Sequence, residues 1–489
     1  MAQHLEIELK FDADADFVVP DLSGLAAAGP PQTHELEAVY YDTDDLRLAA
    51  RKVTLRRRTG GTDAGWHLKL PAGPDAKREH RAPLQDDLPA ELAALVTAYA
   101  RGAELKPVAT LTTRRTTRDL SAARGEGLAE LADDLVTGTV AGGQEPESWR
   151  EIEVELVSGE PGLLADVGEK LLKAGARRAS SSSKLGRLLA PAITKAPAWT
   201  GHRAGDAVMR HLAVQIAEVL GNDPKVRLEE YDAVHKMRVA VRRLRSVLAS
   251  ARPLLDRDQT DPLQPELRWL AGVLGEVRDA EVLHERFGGR LAALPVAPEA
   301  EPGWLAELKE TERAGYDTVR EALSGERYFA LLNSLDHLLA APPLTPRAGR
   351  PAAKELPRLL RRAWRGVRRA HSAIAAAETP EAADEARHET RKKAKRARYT
   401  ADATREVLGA DAKTVSKAAK SLQEVLGRFQ DGVLAQEFLL ARRPAATTPA
   451  DAFLLGALYG LERAEAETAR TESDTAWSTA QSTVLPLLA

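Results

Sequence analysis

In the first 190 residues apolar and charged side chains alternate at period two in four runs, EIELKF, KVTLRRR, WHLKL and REIEVEL. Such alternation belongs to β-strands with two unlike faces. PAGPD, GGTDAG and VAGGQEPES carry the glycine, proline and aspartate chemistry of turns. The Ala- and Leu-rich stretch from Leu88 to Ala100 predicts a helix. APAITKAPAWTGHRAG then breaks all periodicity and reads as a linker, assigned to residues 191–203.

From Ala204 onward Ala, Leu, Arg and Glu recur at helical spacing to the C-terminus, so this half is expected to be all-helical. It also repeats. YDAVHKMRVAVRRLRSVL from Tyr231 matches DEARHETRKKAKRARYTA from Asp384, and LAGVLGEVRDAEVL matches LQEVLGRFQDGVLA at nearly the same offset. The Pro-rich segment Ala341 to Ala352 separates the copies. The expected organisation is a β-rich domain over 1–190 and a helical domain over 204–489, the latter made of bundles at 204–340 and 353–489.

Length agrees with two or three domains, since 489 residues exceed what one core sustains. The absence of cysteine excludes disulfides, thiolate metal sites and a cysteine nucleophile. The opening MAQHLEIELKF lacks a signal-peptide pattern, and no apolar run approaches the ~18–20 residues of a bilayer span. The expectation is a soluble, cytoplasmic protein with no membrane partner. Net charge is −3, but from 69 Lys plus Arg against 72 Asp plus Glu, so the placement of each sign carries the information.

In EIELK, Glu6, Glu8 and Lys10 share one strand face while Ile7 and Leu9 share the other. EIEVEL places Glu151, Glu153 and Glu155 together, LRRR does the same for Arg56 and Arg58, and WHLKL supplies Lys69. One such strand fits a sheet with a solvated face. Several together describe a polar tunnel, where carboxylates hold a hard divalent cation and arginines chelate phosphate.

EIELK, YYDT at Tyr40, LRRR with WHLK, RRT near Arg115, ELADD, EIEVEL and the Ser183-Lys184 pair together resemble the CYTH or triphosphate tunnel metalloenzyme superfamily over residues 1–190. The resemblance implies an antiparallel barrel forming a tunnel, with flanking helices, that hydrolyses triphosphates with Mg2+ or Mn2+. It implies Glu6, Glu8, Lys10, Glu151 and Glu153 as the catalytic set. Glu6, Glu8, Glu151 and Glu153 would bind metal, and Arg56, Arg58, Lys69, Arg114, Arg115 and Lys184 would join Lys10 on phosphate oxygens. Glu79 and Asp134 are further tunnel carboxylates and Asp134 a further metal ligand, with Asp133 as the alternative in register. Two departures stand out: Arg114-Arg115 replaces a Lys-Arg pair, and Leu185 replaces an aromatic.

In the helical half Val234, Met237, Val241, Leu244 and Leu248 form an apolar stripe bordered by His235, Arg238, Arg242 and Arg245. The second copy repeats the basic stripe as His388, Arg391, Lys395 and Arg398, with Lys392 added where the first copy has Val239, beside an apolar stripe of Ala394, Ala397 and Ala401. A basic stripe is commonly a solvated face, but like charges at this spacing weaken an isolated helix, so two copies point to an anionic partner. The repeated stripe, followed by LGEVRD and LGRFQD, resembles the CHAD domain, the conserved histidine alpha-helical domain, over residues 201–489. That resemblance implies two four-helix bundles about a pseudo-twofold axis and binding of inorganic polyphosphate, with Asp279 and Asp431 orienting the bases.

The leading functional expectation is a metal-dependent inorganic triphosphatase, acting on tripolyphosphate or short polyphosphate, whose helical domain binds polyphosphate. The alternative is a non-catalytic polyphosphate-binding protein that marks or organises polyphosphate granules. With aromatics at 4%, base stacking on nucleic acid is poorly supported.

Overall fold

The computed structural model describes residues 2–73, 75–143, 145–193, 197, 199–294, 301–446 and 448–488. Part of the expected linker, 194–196 and 198, therefore lies outside the described residues. Two compact units divide the chain, residues 1–195 and 196–489.

In the first unit the strands are β1 (Ala2–Ala13), β2 (Ala27–Ala28), β3 (Gln32–Asp42), β4 (Thr54–Thr59), β5 (Gly65–Pro71), β6 (Ala76–Pro83), β7 (Lys106–Ser121), β8 (Gly127–Val140), β9 (Glu147–Leu156) and β10 (Arg177–Arg178). Eight of them pair in the order β1-β6-β5-β4-β3-β7-β8-β9, and β9 returns to β1, closing an antiparallel barrel. The short β2 pairs with β7 and β10 with β1, outside that ring. Helices α1 (Arg47–Ala50), α2 (Ala90–Ala100), α3 (Pro161–Lys173) and α4 (Lys184–Leu188) flank it.

The period-two pattern is inverted relative to a barrel with a greasy interior: the charged face turns inward and the apolar face outward. The outward Ile7, Leu9, Phe11, Ile152 and Val154 pack with Leu164, Val167 and Leu171 of α3, so the helix removes the apolar side of β1 and β9 from water. Asp42, from YYDT, is fully buried and accepts hydrogen bonds from the backbone N–H of Thr43 (2.7 Å), Leu48 (2.9 Å) and Ala49 (2.8 Å). It holds α1 to the end of β3 and does not line the tunnel.

The second unit is helical: α5 (Ala204–Arg227), α6 (Ala233–Ser250), α7 (Arg257–Thr260), α8 (Leu263–Ala292), α9 (Gly303–Leu323), α10 (Glu326–Ala340), α11 (Ala352–Ala375), α12 (Pro380–Arg442) and α13 (Pro449–Leu488). Gly409 interrupts α12 with φ 52° and ψ −119°, splitting it into two segments. Two four-helix bundles result: α5, α6, α8 and α9, then α11, both segments of α12, and α13. The second has its core in Leu360, Trp364, Ala394, Ala397, Ala401, Val415, Leu422 and Val484. Another cluster, built on Phe287, Trp304, Leu439 and Leu458, joins α8 and α9 to α12 and α13. At the centre α6 meets α12, where Thr400 Oγ1 donates to Ser250 Oγ at 2.8 Å. No helix among the described residues is long and apolar enough to cross a membrane.

Candidate functional site

The barrel interior holds a cavity of about 380 Å³. Its walls carry Glu6, Glu8 and Lys10 from β1, Arg56 and Arg58 from β4, Lys69 from β5, Arg115 from β7, Glu153 from β9, and Lys184 from the first turn of α4. Ser183 sets that turn, accepting the Gly186 N–H on Oγ at 3.0 Å.

Asp134, Glu151 and Glu153 are buried and present oxygens within 4.8 Å of one another. Lys184 Nζ donates to all three, to Glu151 at 2.6 Å, Glu153 at 2.7 Å and Asp134 at 2.9 Å. Arg115 donates from Nε to Asp134 Oδ1 at 2.8 Å, and from Nη2 to Asp134 Oδ2 at 2.6 Å and Glu153 Oε2 at 2.7 Å. Lys10 pairs with Glu153 and lies 2.8 Å from Glu8. Burial would raise all three carboxyls; for Glu153 the surrounding Lys10, Lys184 and Arg115 win and hold it well below the usual range, whereas burial leaves Glu151 raised. This donor set, hard oxygens at short mutual distance, fits a divalent cation.

Glu6 and Glu8 lie outside that close trio, and Lys10 stands between Glu8 and Glu153, pairing with both. The cross-strand register explains this, because Lys10, rather than Glu8, stands opposite Glu153. Glu6, 1% exposed, takes Lys69 Nζ at 2.8 and 2.6 Å, and Glu8 takes Lys77 Nζ at 2.9 Å. Burial opposes ionisation of Glu8, but Lys10 and Lys77 outweigh it and hold the carboxyl at about 2.

Arg114 is a correction. Neighbouring strand residues face opposite sides, so with Arg115 inward Arg114 turns outward, 64% exposed and 3.7 Å from Glu35. The same rule settles the aspartates: Asp134 points in, while Asp133 points out and accepts two hydrogen bonds from Arg150. Glu79 is fully buried, bound by Arg81 and by His67 Nδ1 at 2.9 Å.

Among the cavity residues, Lys77 and Arg81 were not singled out from the sequence, and Tyr40 and Glu155 entered only as parts of their motifs. Tyr40 accepts from Arg56 Nη1 at 3.2 Å. Lys77 and Arg81 flank Glu79 at period two in KREHR, which is the signal that could have found them. Glu155 continues the Glu151-Glu153 face; burial, then Glu6 and Glu8, push its carboxyl up to about 7.

In the helical unit Val234, Met237, Val241, Leu244 and Leu248 are buried, leaving the basic stripe at the edge of the core. Arg238 Nη1 donates to Asp279 Oδ1 at 2.9 Å, and Arg391 Nη2 to Asp431 Oδ1 at 3.3 Å. The two copies converge. Burial lowers Arg242, helped by Arg238 and Arg391, and lowers Lys395 to about 7, helped by Arg391 and Arg242. His235 is lowered by burial and by Arg278, which takes the place that Gln430 holds beside His388, where Gln430 Oε1 lies 2.9 Å from Nδ1. Arg398 Nη1 donates to Gln423 at 3.3 Å, and Arg245 lies in the field of Arg268 and Arg396. Lys392 does not join this group: it is exposed and paired with Glu389 at 2.6 Å. Arg278 was missed, although EVRD contains it.

A closed antiparallel tunnel with inward charge, joined to paired basic helical bundles, defines a two-domain class. Residues 4–188 match the CYTH domain family and residues 210–440 the CHAD domain family. The chain belongs to the proteins in which a CYTH domain is followed by a CHAD domain. It is 41% identical over 505 aligned positions to the uncharacterized protein MT2285 of Mycobacterium tuberculosis (strain CDC 1551 / Oshkosh), covering 97% of this chain and 96% of that one. Among solved structures it is similar to PptA from Streptomyces chartreusis (24% identity, 56% of this chain, 99% of that one, TM-score 0.47). It is also similar to the CHAD domain from the plant Ricinus communis (23% identity, 59% of this chain, 95% of that one, TM-score 0.46).

Proposed function

We propose that the tunnel hydrolyses inorganic triphosphate or short polyphosphate with Mg2+ or Mn2+, and that the helical domain binds inorganic polyphosphate in the cytoplasm. The observation that carries this reading is the enclosed juxtaposition of Asp134, Glu151 and Glu153 with Arg115, Lys184 and Lys10. Carboxylates alone would suit a cation store and cations alone a phosphate trap; side by side they suit a metal-bound phosphate chain.

Arg56 and Arg58 crowd one wall, and the Nε atoms of both are buried without a hydrogen-bond partner. An anionic phosphoryl group placed there satisfies both donors and relieves their mutual repulsion. Arg115, Lys184 and Lys10, positioned before substrate arrives, stabilise charge as it develops on the transferring phosphoryl oxygens. A divalent cation on Asp134, Glu151 and Glu153 would supply Lewis-acid polarisation. No side-chain nucleophile is required, since water attacks in line.

The deciding experiment is phosphate release from tripolyphosphate, long-chain polyphosphate, ATP and thiamine triphosphate, each with Mg2+, Mn2+ or chelator. Metal-stimulated release from the inorganic substrates is expected. No release from any of the four leaves the alternative, a polyphosphate-binding protein of granules, as the reading.

A further inference from the structure

A second cavity of about 280 Å³ adjoins the tunnel and shares Glu8, Lys10 and Lys77 with it as common wall. On its far side stand Lys52, Arg178 and the serine run 180–182. The cations differ from those inside. In the tunnel Lys10, Lys69, Lys184 and Arg115 each hold a carboxylate. Lys52 and Arg178 are exposed, and neither has an ion-pair partner among the described residues. Lys77 bridges the two spaces, donating to Glu8 Oε1 at 2.9 Å on one side and to the Ser182 carbonyl at 2.7 Å on the other.

We propose that this vestibule is an anion subsite for phosphate units beyond the three that the tunnel takes, so that the substrate is a chain continuing past Lys77 onto Lys52 and Arg178. The inference rests on the phosphohydrolase reading above and extends it to chain length. Two observations favour inorganic phosphate over an organic group. Phe11, the ring against the vestibule cation Arg178, is buried and covered by its guanidinium, whose carbon lies 5.0 Å from the centroid, so among the described residues lining the vestibule no ring is offered for stacking. The remaining donors are cations and hydroxyls, opposed by Asp75 and, on the shared wall, by Glu8, which Lys10 and Lys77 pair, and such donors bind phosphate oxygens through charge and hydrogen bonds.

Two arms test this on the full chain. In chelator, amine-reactive labelling read by mass spectrometry should show Lys52 protected by long-chain polyphosphate and not by tripolyphosphate. Equal protection by both, or by neither, overturns the proposal whether or not the protein turns over. With metal, the Lys52→Ala, Arg178→Ala double variant, altered only at exposed positions, should raise KM for long chains about tenfold and leave tripolyphosphate kinetics unchanged. If wild type releases phosphate but the variant shifts neither substrate, or both alike, the vestibule fails and the hydrolase reading stands. If wild type releases none, the hydrolase reading fails and the labelling arm alone decides the subsite.

Discussion

Arg115 clasps Asp134 with two parallel hydrogen bonds, Nε to Oδ1 at 2.8 Å and Nη2 to Oδ2 at 2.6 Å, and so fixes the plane of its guanidinium inside the tunnel. A lysine keeps the charge but cannot make the fork. Arg115→Lys is expected to lower tripolyphosphate turnover about tenfold or more, within the range that removal of one transition-state donor produces, with circular dichroism unchanged. Arg114→Ala, one residue away on the outer face, should leave turnover at the wild-type level. Equal effects of the two substitutions would refute the inward and outward assignment.

Lys184 is the ammonium common to Asp134, Glu151 and Glu153. Lys184→Met leaves the buried Glu151 without its cation, while Arg115 and Lys10 still hold Asp134 and Glu153, and should cost roughly 3–5 kcal/mol in chelator, measured by urea denaturation. Mn2+ should restore more stability to the variant than it adds to wild type, because the cation takes over the lost charge. Identical responses to Mn2+ would count against the trio as a metal site.

Lys395 is lowered from its ordinary 10.5 to about 7 by burial and by Arg391, Arg242 and Arg238, with Asp431 opposing. Between about 7 and 10.5 the unfolded chain keeps a proton that the folded chain has released, so Lys395 adds stability as pH rises through that window. That contribution is lost as pH falls through about 7. Polyphosphate affinity should run the opposite way, weaker at pH 9 than at pH 6, because the polyanion favours the ammonium. Lys395→Met should flatten both profiles; an affinity profile that it leaves unchanged would exclude Lys395 from the binding group.

Gly275 and Gly427 occupy matching places under Arg238 and Arg391: a Cβ at either would lie 3.3 Å from the guanidinium Nη2. The double Gly→Ala variant must shift both guanidinium groups by a few tenths of an ångström. Helix propensity favours alanine by up to about 1 kcal/mol per site, so stability is expected to hold or rise while polyphosphate binding weakens several-fold in titration calorimetry. Undiminished binding would show that the seating of these arginines is irrelevant.

The inward faces of β1 and β9 were readable because polar and apolar residues alternate strictly there, as in Glu6-Ile7-Glu8-Leu9. On β6 the run Lys77-Arg78-Glu79-His80 is polar at every position, so polar and apolar contrast does not mark the inward face, and only counting by two from Glu79 reaches Lys77. Two adjacent arginines on β7 posed the same difficulty, and only pairing of Arg115 with Asp134 across to β8 decides which faces in. In the helical half the apolar stripe of α6 was plain, but RKKAKR offers a basic residue at almost every angle, so the sequence does not separate the exposed Lys392 from the half-buried Arg391 and Lys395. That Arg242 and Lys395, from different repeats, share one field is tertiary information that no local pattern contains.

The break at Gly409 makes the two bundles unequal in their tolerance of change. In the first bundle residues 251–262, including the short α7, separate α6 from α8; in the second a single left-handed glycine does the same work. A loop absorbs an added residue, whereas at a one-residue reversal between two helices that pack side by side an added residue turns the packing face of the second by about 100°. Length variation among relatives should therefore collect at 251–262 and be absent around Gly409, where the phase of one segment is geared to the other.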